Sequence, residues 1–97
     1  MRLRFTSRAL DDLREIAAYL HDLSPTAAQH VRGDILRCLE RLTAFPRMGR
    51  QQNLDGVRKS ITRKYFYLVY YALDEADREI VVLSIRHPSR EREHEDC

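Results

Sequence analysis

The chain has 97 residues, of which 43% are hydrophobic and 33% are charged, and this balance is typical of one small soluble domain with a densely ionised surface. It contains no apolar run of about 18 residues, the length that a membrane-spanning helix needs, and no apolar segment near Met1 that would form a secretory signal. The two cysteines, Cys38 and Cys97, cannot build a disulfide framework, so a reducing, cytoplasmic location is expected.

Positive charge is concentrated in the first part of the chain. Residues 1–70 carry a net charge of +6 and residues 71–97 a net charge of −4, and 15 of the 17 basic residues are arginine. The densest segment, residues 47–64, has six basic side chains and a single acidic one, Asp55. Such a patch attracts phosphate groups or an acidic partner, and arginine can bind either through two parallel hydrogen bonds. The alternative interpretation is a solvated, arginine-rich surface without a partner.

A strand and a helix are predicted at the start of the chain. Polar and apolar residues alternate from Arg2 to Thr6, which indicates a short strand. Ser7 is the predicted N-cap, and the apolar residues after it recur every three or four positions. This spacing predicts an amphipathic helix over residues 8–22.

A second helix is predicted to begin at Ser24-Pro25, because serine is a good N-cap and proline is tolerated at the first helical position. Its apolar stripe continues to Phe45, and Pro46 disfavours helix at the residue before it. Because only about two residues connect the two helices, they should run antiparallel and pack against each other.

The second half of the chain has the composition of strands. A polar loop with Arg47 and Arg50 is expected first, and three strands follow, over residues 57–62, 64–73 and 79–87. The middle strand is almost continuously apolar, so it should be the central strand of the sheet.

The predicted fold is therefore α+β: a helical hairpin packed on a small, mainly antiparallel sheet, in the order β-α-α-β-β-β. Residues 1–90 are expected to form a single domain, and residues 91–97 a charged C-terminal tail.

Several segments of this chain resemble RelE/ParE-type toxins of type II toxin–antitoxin pairs. They are Phe5 to Tyr19, Phe45-Pro46-Arg47-Met48-Gly49-Arg50, Lys64-Tyr65 with Val69-Tyr70-Tyr71, and Ile80 to His87 followed by Arg90. The resemblance covers about residues 2–90. It implies a small cytoplasmic toxin with a role such as plasmid stabilisation. It also implies that a cognate antitoxin silences the toxin by laying a helix along a hydrophobic groove.

Two activities are implied by this superfamily: RelE-like members cut mRNA in the ribosomal A site, and ParE-like members poison DNA gyrase. The fold alone does not separate them. A metal-free nuclease needs a general acid and base together with cations at the phosphate. The sequence offers four candidates for that chemistry, which are Arg58, Arg63, Arg86 and His87. It has no tyrosine after Tyr71 to complete the RelE-like pattern.

The segment His87-Pro88-Ser89-Arg90 is instead similar to the His-x-x-Arg ending of ParE-like sequences, for which the family implies no active-site chemistry. Gyrase poisoning, without enzymatic activity, is therefore the favoured function. Ribosome-dependent mRNA cleavage and a non-catalytic binding module are the alternatives. The candidate target-binding residues are Arg47, Arg50, Arg58, Arg63, Arg86, His87 and Arg90.

Structural roles compete with these functional ones. For His87, a hydrogen-bonded position at the end of a strand is favoured over catalysis. Four tyrosines in the predicted central strand favour core packing, with hydroxyls at the rim, over stacking on bases; they are Tyr65, Tyr67, Tyr70 and Tyr71. No metal or cofactor is expected, because His87, His94 and Cys97 match no recognised ligand spacing and no glycine-rich phosphate loop is present.

Overall fold

The structure, a computed structural model, describes residues 1–89, so Arg90 and the predicted tail lie outside the described residues. In chain order the elements are β1 (Arg2–Phe5), α1 (Ser7–Leu23), α2 (Pro25–Ala44), β2 (Arg50–Gln51), β3 (Val57–Ile61), β4 (Leu68–Asp74) and β5 (Glu79–Arg86). The strands form one sheet in the order β1-β5-β4-β3-β2, in which only β1 and β5 pair in parallel. The predicted α+β fold is confirmed, and β4 is the central strand as expected.

The N-cap of α1 is Thr6, one residue earlier than predicted, and Ser7 is the first helical residue. The Thr6 hydroxyl accepts a hydrogen bond from the Ala9 N–H at 3.1 Å, so it satisfies a donor at the free helix end. The same hydroxyl donates to the Leu83 carbonyl at 2.9 Å, and the Thr6 N–H donates to the Val82 carbonyl at 3.0 Å. Thr6 therefore fixes the start of α1 directly to β5.

Ser24 joins the two helices, as the sequence predicts. Its N–H donates to the Leu20 carbonyl at 2.7 Å, which closes α1. Its hydroxyl accepts from the Ala27 N–H at 3.2 Å, which caps α2, and Pro25 follows as the first helical residue. One residue thus ends one helix and starts the next, and this sharp connection sets the two helices side by side.

The core lies between the sheet and the helical hairpin. Five buried residues of the core come from helix α2, namely Val31, Ile35, Cys38, Leu39 and Leu42. Strands β4 and β5 contribute alternate residues, namely Val69, Tyr71, Ile80, Val82 and Ile85. In α1 only Ala9 is fully buried, whereas Leu13, Ile16 and Leu20 are partly buried against the core. Helix α1 therefore covers the sheet less completely than α2 does.

Two features of the sheet differ from the prediction. Strand β4 begins at Leu68 rather than at residue 64, because residues 62–67 form a connecting segment in which Phe66 has a φ of 61°. The predicted loop after α2 contains the short strand β2, whose Arg50 lies opposite Lys59 of β3. A strand of two residues has no periodicity that a sequence pattern could reveal.

Candidate functional site

The sheet has two faces: the helix face, covered by α1 and α2, and the open face on the other side. A bulge in β5 decides on which face its last residues lie. Tyr70 pairs with Ser84 but Tyr71 pairs with Val82, so Leu83 is an extra residue. The bulge reverses the alternation of side chains between the faces.

Adjacent residues of a strand lie on opposite faces, so the two neighbouring candidates at the end of β5 do so too, and the bulge decides which candidate lies on which face. Ile85, which is 2% exposed, follows the bulge on the helix face, so Arg86 lies on the open face and His87 returns toward the helix side. The guanidinium of Arg86 is 5.5 Å from the ring centroid of Tyr70. The imidazole ring of His87 packs edge to face against the ring of Tyr67, with 5.4 Å between the two ring centroids. Arg86 and His87 therefore do not converge on one reacting group.

Basic side chains form a strip on the open face. Arg50 lies opposite Lys59, and Lys59 lies opposite Tyr70, so these three residues share one row across β2, β3 and β4. Arg86 adjoins the row through its contact with Tyr70. Neighbouring strands lie about 4.8 Å apart, so the charges are closely spaced. We call Arg50, Lys59, Tyr70 and Arg86 the open-face strip.

Among the described residues, the Nε atom of Arg86 is buried without a hydrogen-bond partner. The guanidinium of Arg86 adds a positive charge to the open-face strip. Of the predicted target-binding residues, Arg50 and Arg86 thus belong to one surface.

Arg58 does not join that surface. It lies opposite Tyr71, whose side chain is fully buried on the helix face. Its Nη1 atom donates to the carbonyls of Arg47 at 3.0 Å and Gly49 at 2.8 Å. Arg58 therefore binds the segment between α2 and β2, residues 45–49, which we call the joint.

Tyr71 holds the joint from inside. Its hydroxyl accepts from the Gly49 N–H at 2.9 Å and donates to the Pro46 carbonyl at 2.7 Å. Burial raises the pKa of Tyr71, although the Gly49 N–H and the positive charge of Arg58 act in the opposite direction. A Cβ atom at Gly49 would lie 2.5 Å from the Tyr71 hydroxyl oxygen, so only glycine fits this close approach.

The remaining candidate in the joint, Arg47, forms an exposed ion pair with Glu75 in the β4–β5 turn. The segment Phe45-Pro46-Arg47-Met48-Gly49-Arg50 thus contains mainly residues that fasten α2 to the sheet. Only Arg50, the first residue of β2, contributes to the open-face strip.

A second irregular segment, residues 62–67, connects β3 to β4, and we call it the turn. Thr62 is fully buried, and its hydroxyl accepts from the Tyr67 N–H at 2.9 Å. The Thr62 N–H donates to the Tyr67 carbonyl, also at 2.9 Å. Asp34 of α2, only 2% exposed, accepts from the N–H groups of Lys64 at 3.2 Å and Tyr65 at 2.8 Å. The backbone of the turn is therefore fixed at both ends and at its centre.

The Asp34 carboxylate is suited to this role electrostatically. Burial disfavours its ionised form, but the Tyr65 N–H, the Thr62 hydroxyl, the Lys64 N–H and the charge of Arg37 outweigh burial and lower its pKa. Asp34 therefore stays ionised at neutral pH and strengthens the hydrogen bonds that it accepts.

The side chains of the turn point away from this anchor. Arg63 and Lys64 are exposed, and the aromatic side chains of Tyr65 and Phe66 are 39% and 59% exposed. The prediction that Tyr65 packs in the core is wrong, because it belongs to the turn and not to β4. Tyr67 and Tyr71 are buried, as predicted.

His87 follows β5 at the same end of the sheet as the turn. The Ser89 N–H donates to its Nδ1 atom at 3.1 Å, and the Ser89 hydroxyl lies 2.7 Å from the same atom. A backbone N–H can only donate, so Nδ1 is the acceptor in this hydrogen bond. His87 lines a recess of about 390 Å³ with Asp12, Tyr19 and Tyr67.

Asp12 in that recess has a structural partner. Its carboxylate accepts from the Ile85 N–H at 3.0 Å, a donor that β1 is too short to reach. The Asp12 carboxylate and the Thr6 hydroxyl, which donates to the Leu83 carbonyl, thus satisfy backbone groups of β5 beyond the end of β1.

The two helices leave an apolar groove between them, with a volume of about 440 Å³. The residues that line it include Leu13, Ile16, Leu20, Ala28, Val31 and Ile35. The groove exists because α1 is only partly buried against the core. Apolar surface of this kind on the hairpin matches the expectation of a docking site for a helix.

Asp74, Asp77 and Glu79 form an acidic cluster in the β4–β5 turn. Arg4 already contacts two of them, with nitrogen–oxygen distances of 3.9 Å to Asp74 and 3.2 Å to Glu79. The Asp77 N–H also donates to Asp74 at 3.1 Å, so the hydrogen bonds of a turn account for the cluster. Across residues 1–89, neither helix combines the length and apolar character that a membrane span requires.

The structure thus gathers Arg63 and Arg86 at the end of the sheet that carries the turn, with His87 nearby on the other face. It places Arg58 and Arg47 in the joint, and Arg90 lies outside the described residues. The sequence analysis missed Asp34, Lys59 and Phe66. A charged residue within the apolar stripe of α2 is the signal that points to Asp34, because buried carboxylates need donors.

Comparisons with known proteins agree with this architecture. The family described as the ParE toxin of the type II toxin–antitoxin system parDE matches residues 3–92 of the chain. A protein of Sinorhizobium fredii designated as a candidate toxin, Y4kP, is 30% identical over 86 residues, which cover 89% of this chain and 86% of that protein.

Among solved structures, a chain of the chromosomal ParDE system from P. aeruginosa is similar with a TM-score of 0.76 and 26% identity, covering 90% of this chain and 95% of that one. A mutant of the E. coli toxin RelE in complex with a RelBc antitoxin peptide has a TM-score of 0.68 over 99% of this chain and 93% of that one. Its identity of 21% shows a shared fold alone. The chain therefore belongs to the ParE toxin family of type II toxin–antitoxin systems.

Proposed function

We propose that this toxin stops growth in the cytoplasm by binding DNA gyrase and trapping it on cleaved DNA, and that a cognate antitoxin neutralises it. The family assignment supports the toxin role, since the ParE model matches nearly the whole chain. Gyrase is the target that the resemblance to ParE-like sequences implies, including the ending His87-Pro88-Ser89.

One observation carries the choice of a binding function over a nuclease: Arg86 and His87 lie on opposite faces of the sheet. A nuclease needs its proton donor and its phosphate-binding cation around one phosphate. Here Arg86 lies on the open face and His87 packs against Tyr67 on the other side. Arg58, the third candidate, donates to two carbonyls of the joint. Arg86, His87 and Arg58 thus do not surround one phosphate, which favours binding without chemistry.

The open-face strip and the turn are the proposed gyrase-binding surface. Both lie on or beside the part of the sheet that neither α1 nor α2 covers, and they hold the exposed cations Arg50, Arg63 and Lys64 beside Arg86. This refines the set of target-binding residues to those that share a surface. Arg58 and Arg47 are assigned to the joint instead.

The antitoxin is proposed to bind the groove between α1 and α2. Structures similar to this chain are described as toxin–antitoxin systems or complexes, namely ParDE and RelE with a RelBc peptide. The groove is largely apolar and lies between two helices, which suits the apolar face of an amphipathic helix. Such binding would cover the partly buried stripe of α1.

A plasmid assay with purified gyrase, ATP and the toxin freed from its antitoxin tests the proposal. The expected result is an accumulation of linear plasmid with covalently attached protein, which disappears when the antitoxin is added first. A folded toxin that leaves active gyrase unaffected would contradict it.

The same preparation should be tested on ribosomes that hold an mRNA in the A site. Cleavage of the mRNA, in the absence of any effect on gyrase, would move the assignment to the RelE-like activity. We expect no cleavage, because the candidate acid His87 and the candidate cation Arg86 lie on different faces of the sheet.

A further inference from the structure

The turn displays an unusual set of neighbours. Two basic side chains, Arg63 and Lys64, are followed directly by two aromatic ones, Tyr65 and Phe66, and all four are exposed. Aromatic rings are normally turned toward the core, and single exposed apolar residues need no explanation. Two adjacent rings beside two cations have instead the composition of surfaces that bind single-stranded nucleic acid.

The structure also holds these side chains in place before any partner binds. The carboxylate of Asp34 accepts from two consecutive N–H groups of the turn, at 3.2 Å from Lys64 and 2.8 Å from Tyr65. Phe66 has a φ of 61°, in the left-handed region that bulky residues rarely adopt. Such a conformation persists only where the surrounding structure enforces it, and it is typical of functional segments.

A fixed backbone lowers the entropy that binding must remove, because the rings are already presented to solvent. The Asp34 side chain does not itself reach this surface, since the residue is only 2% exposed and its carboxylate accepts from the N–H groups of the turn. The outward side of the turn therefore presents only positive charge and aromatic rings.

The turn continues the open-face strip. Strand β3 ends at Ile61 and β4 begins at Leu68, and Leu68 lies opposite Arg86. The cations of the strip thus lead along the open face to the aromatic residues of the turn. A polynucleotide could place its phosphates along the strip and a base against a ring.

We propose that the turn binds single-stranded nucleic acid directly, with a base stacked on Phe66 and Tyr65 and with phosphates on Arg63 and Lys64. This binding belongs to the toxin chain itself and does not require gyrase, so it goes beyond the function proposed above. A protein surface is the competing partner for exposed aromatic residues, and the positive charge beside the rings favours the polynucleotide.

Fluorescence anisotropy with a labelled thymidine homopolymer and a labelled uridine homopolymer tests the proposal on the toxin freed from its antitoxin. Both strands are expected to bind, with an affinity that falls as salt is raised. Phe66→Asn should weaken binding about 5- to 150-fold, the loss of one stacked base. Asparagine is chosen because it tolerates positive φ, so the variant keeps the backbone of the turn.

The matched control is Phe45→Asn. Phe45 is also strongly exposed, at 65%, but it lies at the end of α2 in the joint. Removing its ring should leave the affinity for both homopolymers unchanged. Equal weakening by Phe45→Asn and Phe66→Asn would overturn the proposal, because the loss would not depend on the turn.

A second pair of variants tests the charges without touching the strained residue. Arg63→Gln with Lys64→Gln should reduce the slope of log affinity against log salt by about 1.4, or roughly 0.7 for each lost phosphate contact. Arg8→Gln with Arg78→Asn removes two exposed cations elsewhere and should leave the slope unchanged. An unchanged slope in the first pair would overturn the proposal.

The outcomes separate this inference from the gyrase function. A folded toxin that traps gyrase on cleaved DNA but binds neither homopolymer at low salt would overturn the inference and leave the proposed function standing. Loss of gyrase poisoning in Phe66→Asn with unchanged homopolymer affinity would show that the ring contacts protein, which also overturns it. Preference for one homopolymer would support the inference and identify DNA or RNA as the natural strand.

Discussion

The joint and the turn are both irregular segments held by one buried polar side chain from another element, yet they use their surface residues in opposite ways. In the joint, the Tyr71 hydroxyl bonds Gly49 and Pro46, and Arg58 also points inward to carbonyls. In the turn, Asp34 accepts from the backbone N–H groups of Lys64 and Tyr65 and from the Thr62 hydroxyl. The exposed side chains of the turn, those of residues 63–66, are therefore left free to meet a partner.

This difference shows why arginine content alone is a poor guide to function. Arg58 and Arg63 are five positions apart in the same basic segment, residues 47–64. A carboxylate that accepts hydrogen bonds from the backbone does not form ion pairs with the cations beside it. An arginine that donates to backbone carbonyls has fewer N–H groups left for a partner. The anchoring group of each segment thus decides which cations remain available.

The largest expected effect concerns the joint. Gly49→Ala would place a methyl group 2.5 Å from the Tyr71 hydroxyl oxygen, in a site enclosed by the core. Overpacking of this kind should lower the free energy of unfolding by about 3 kcal/mol, measured by urea denaturation. A loss below about 1 kcal/mol would mean that the joint yields easily and is not the rigid segment described above.

Asp34→Asn tests the anchor of the turn. The amide supplies one neutral acceptor in place of a carboxylate and brings its own N–H groups toward the Lys64 and Tyr65 donors. We expect a loss of about 2 kcal/mol in unfolding free energy and faster trypsin cleavage after Arg63 or Lys64. Unchanged protection of the turn from trypsin would contradict the proposed anchoring role.

The same variant has a pH signature. The folded-state pKa of Asp34 is lowered, so its contribution to stability is fully present above the unfolded carboxyl pKa of about 3.9. That contribution is lost as pH falls through the lower, folded-state pKa. Asp34→Asn should therefore reduce the stability difference between neutral and acid conditions, and an acid profile identical to that of the wild type would refute this account.

The smallest effect comes from a glycine outside both segments. Gly33 lies inside α2, where alanine is favoured by about 1 kcal/mol. A Cβ atom there would meet the guanidinium of Arg37 at 3.2 Å, the mobile end of a long side chain that can move aside. Gly33→Ala should raise the unfolding free energy by up to about 1 kcal/mol. A loss of unfolding free energy comparable to that of Gly49→Ala would contradict this expectation, because it would mean that the added methyl group is not accommodated at residue 33.

Much of the fold could be predicted from the sequence, because its signals are local. Ser24-Pro25 marks the start of α2 through cap chemistry, and Pro46 marks its end. The predicted N-cap of α1, Ser7, is one residue too late, because Thr6 and Ser7 are both good caps. Only the contacts of Thr6 with β5 decide between them.

The site was harder to predict because its geometry depends on contacts that are distant in the sequence. The bulge at Leu83 decides that Arg86 lies on the open face and His87 on the helix side, and no pattern in β5 announces the bulge. The inward orientation of Arg58 depends on carbonyls 9 and 11 residues away. Asp34 and the turn are 30 residues apart, so their pairing follows from the tertiary fold alone.

The most direct test of this account compares Arg58→Gln with Arg86→Gln in the gyrase cleavage assay, with the unfolding free energy of each variant measured in parallel. The account predicts that Arg58→Gln lowers stability by about 1–3 kcal/mol while its folded fraction still poisons gyrase. Arg86→Gln should keep its stability and lose most of its poisoning. The reverse result, a stable but inactive Arg58→Gln and a fully active Arg86→Gln, would contradict the division between the joint and the open face.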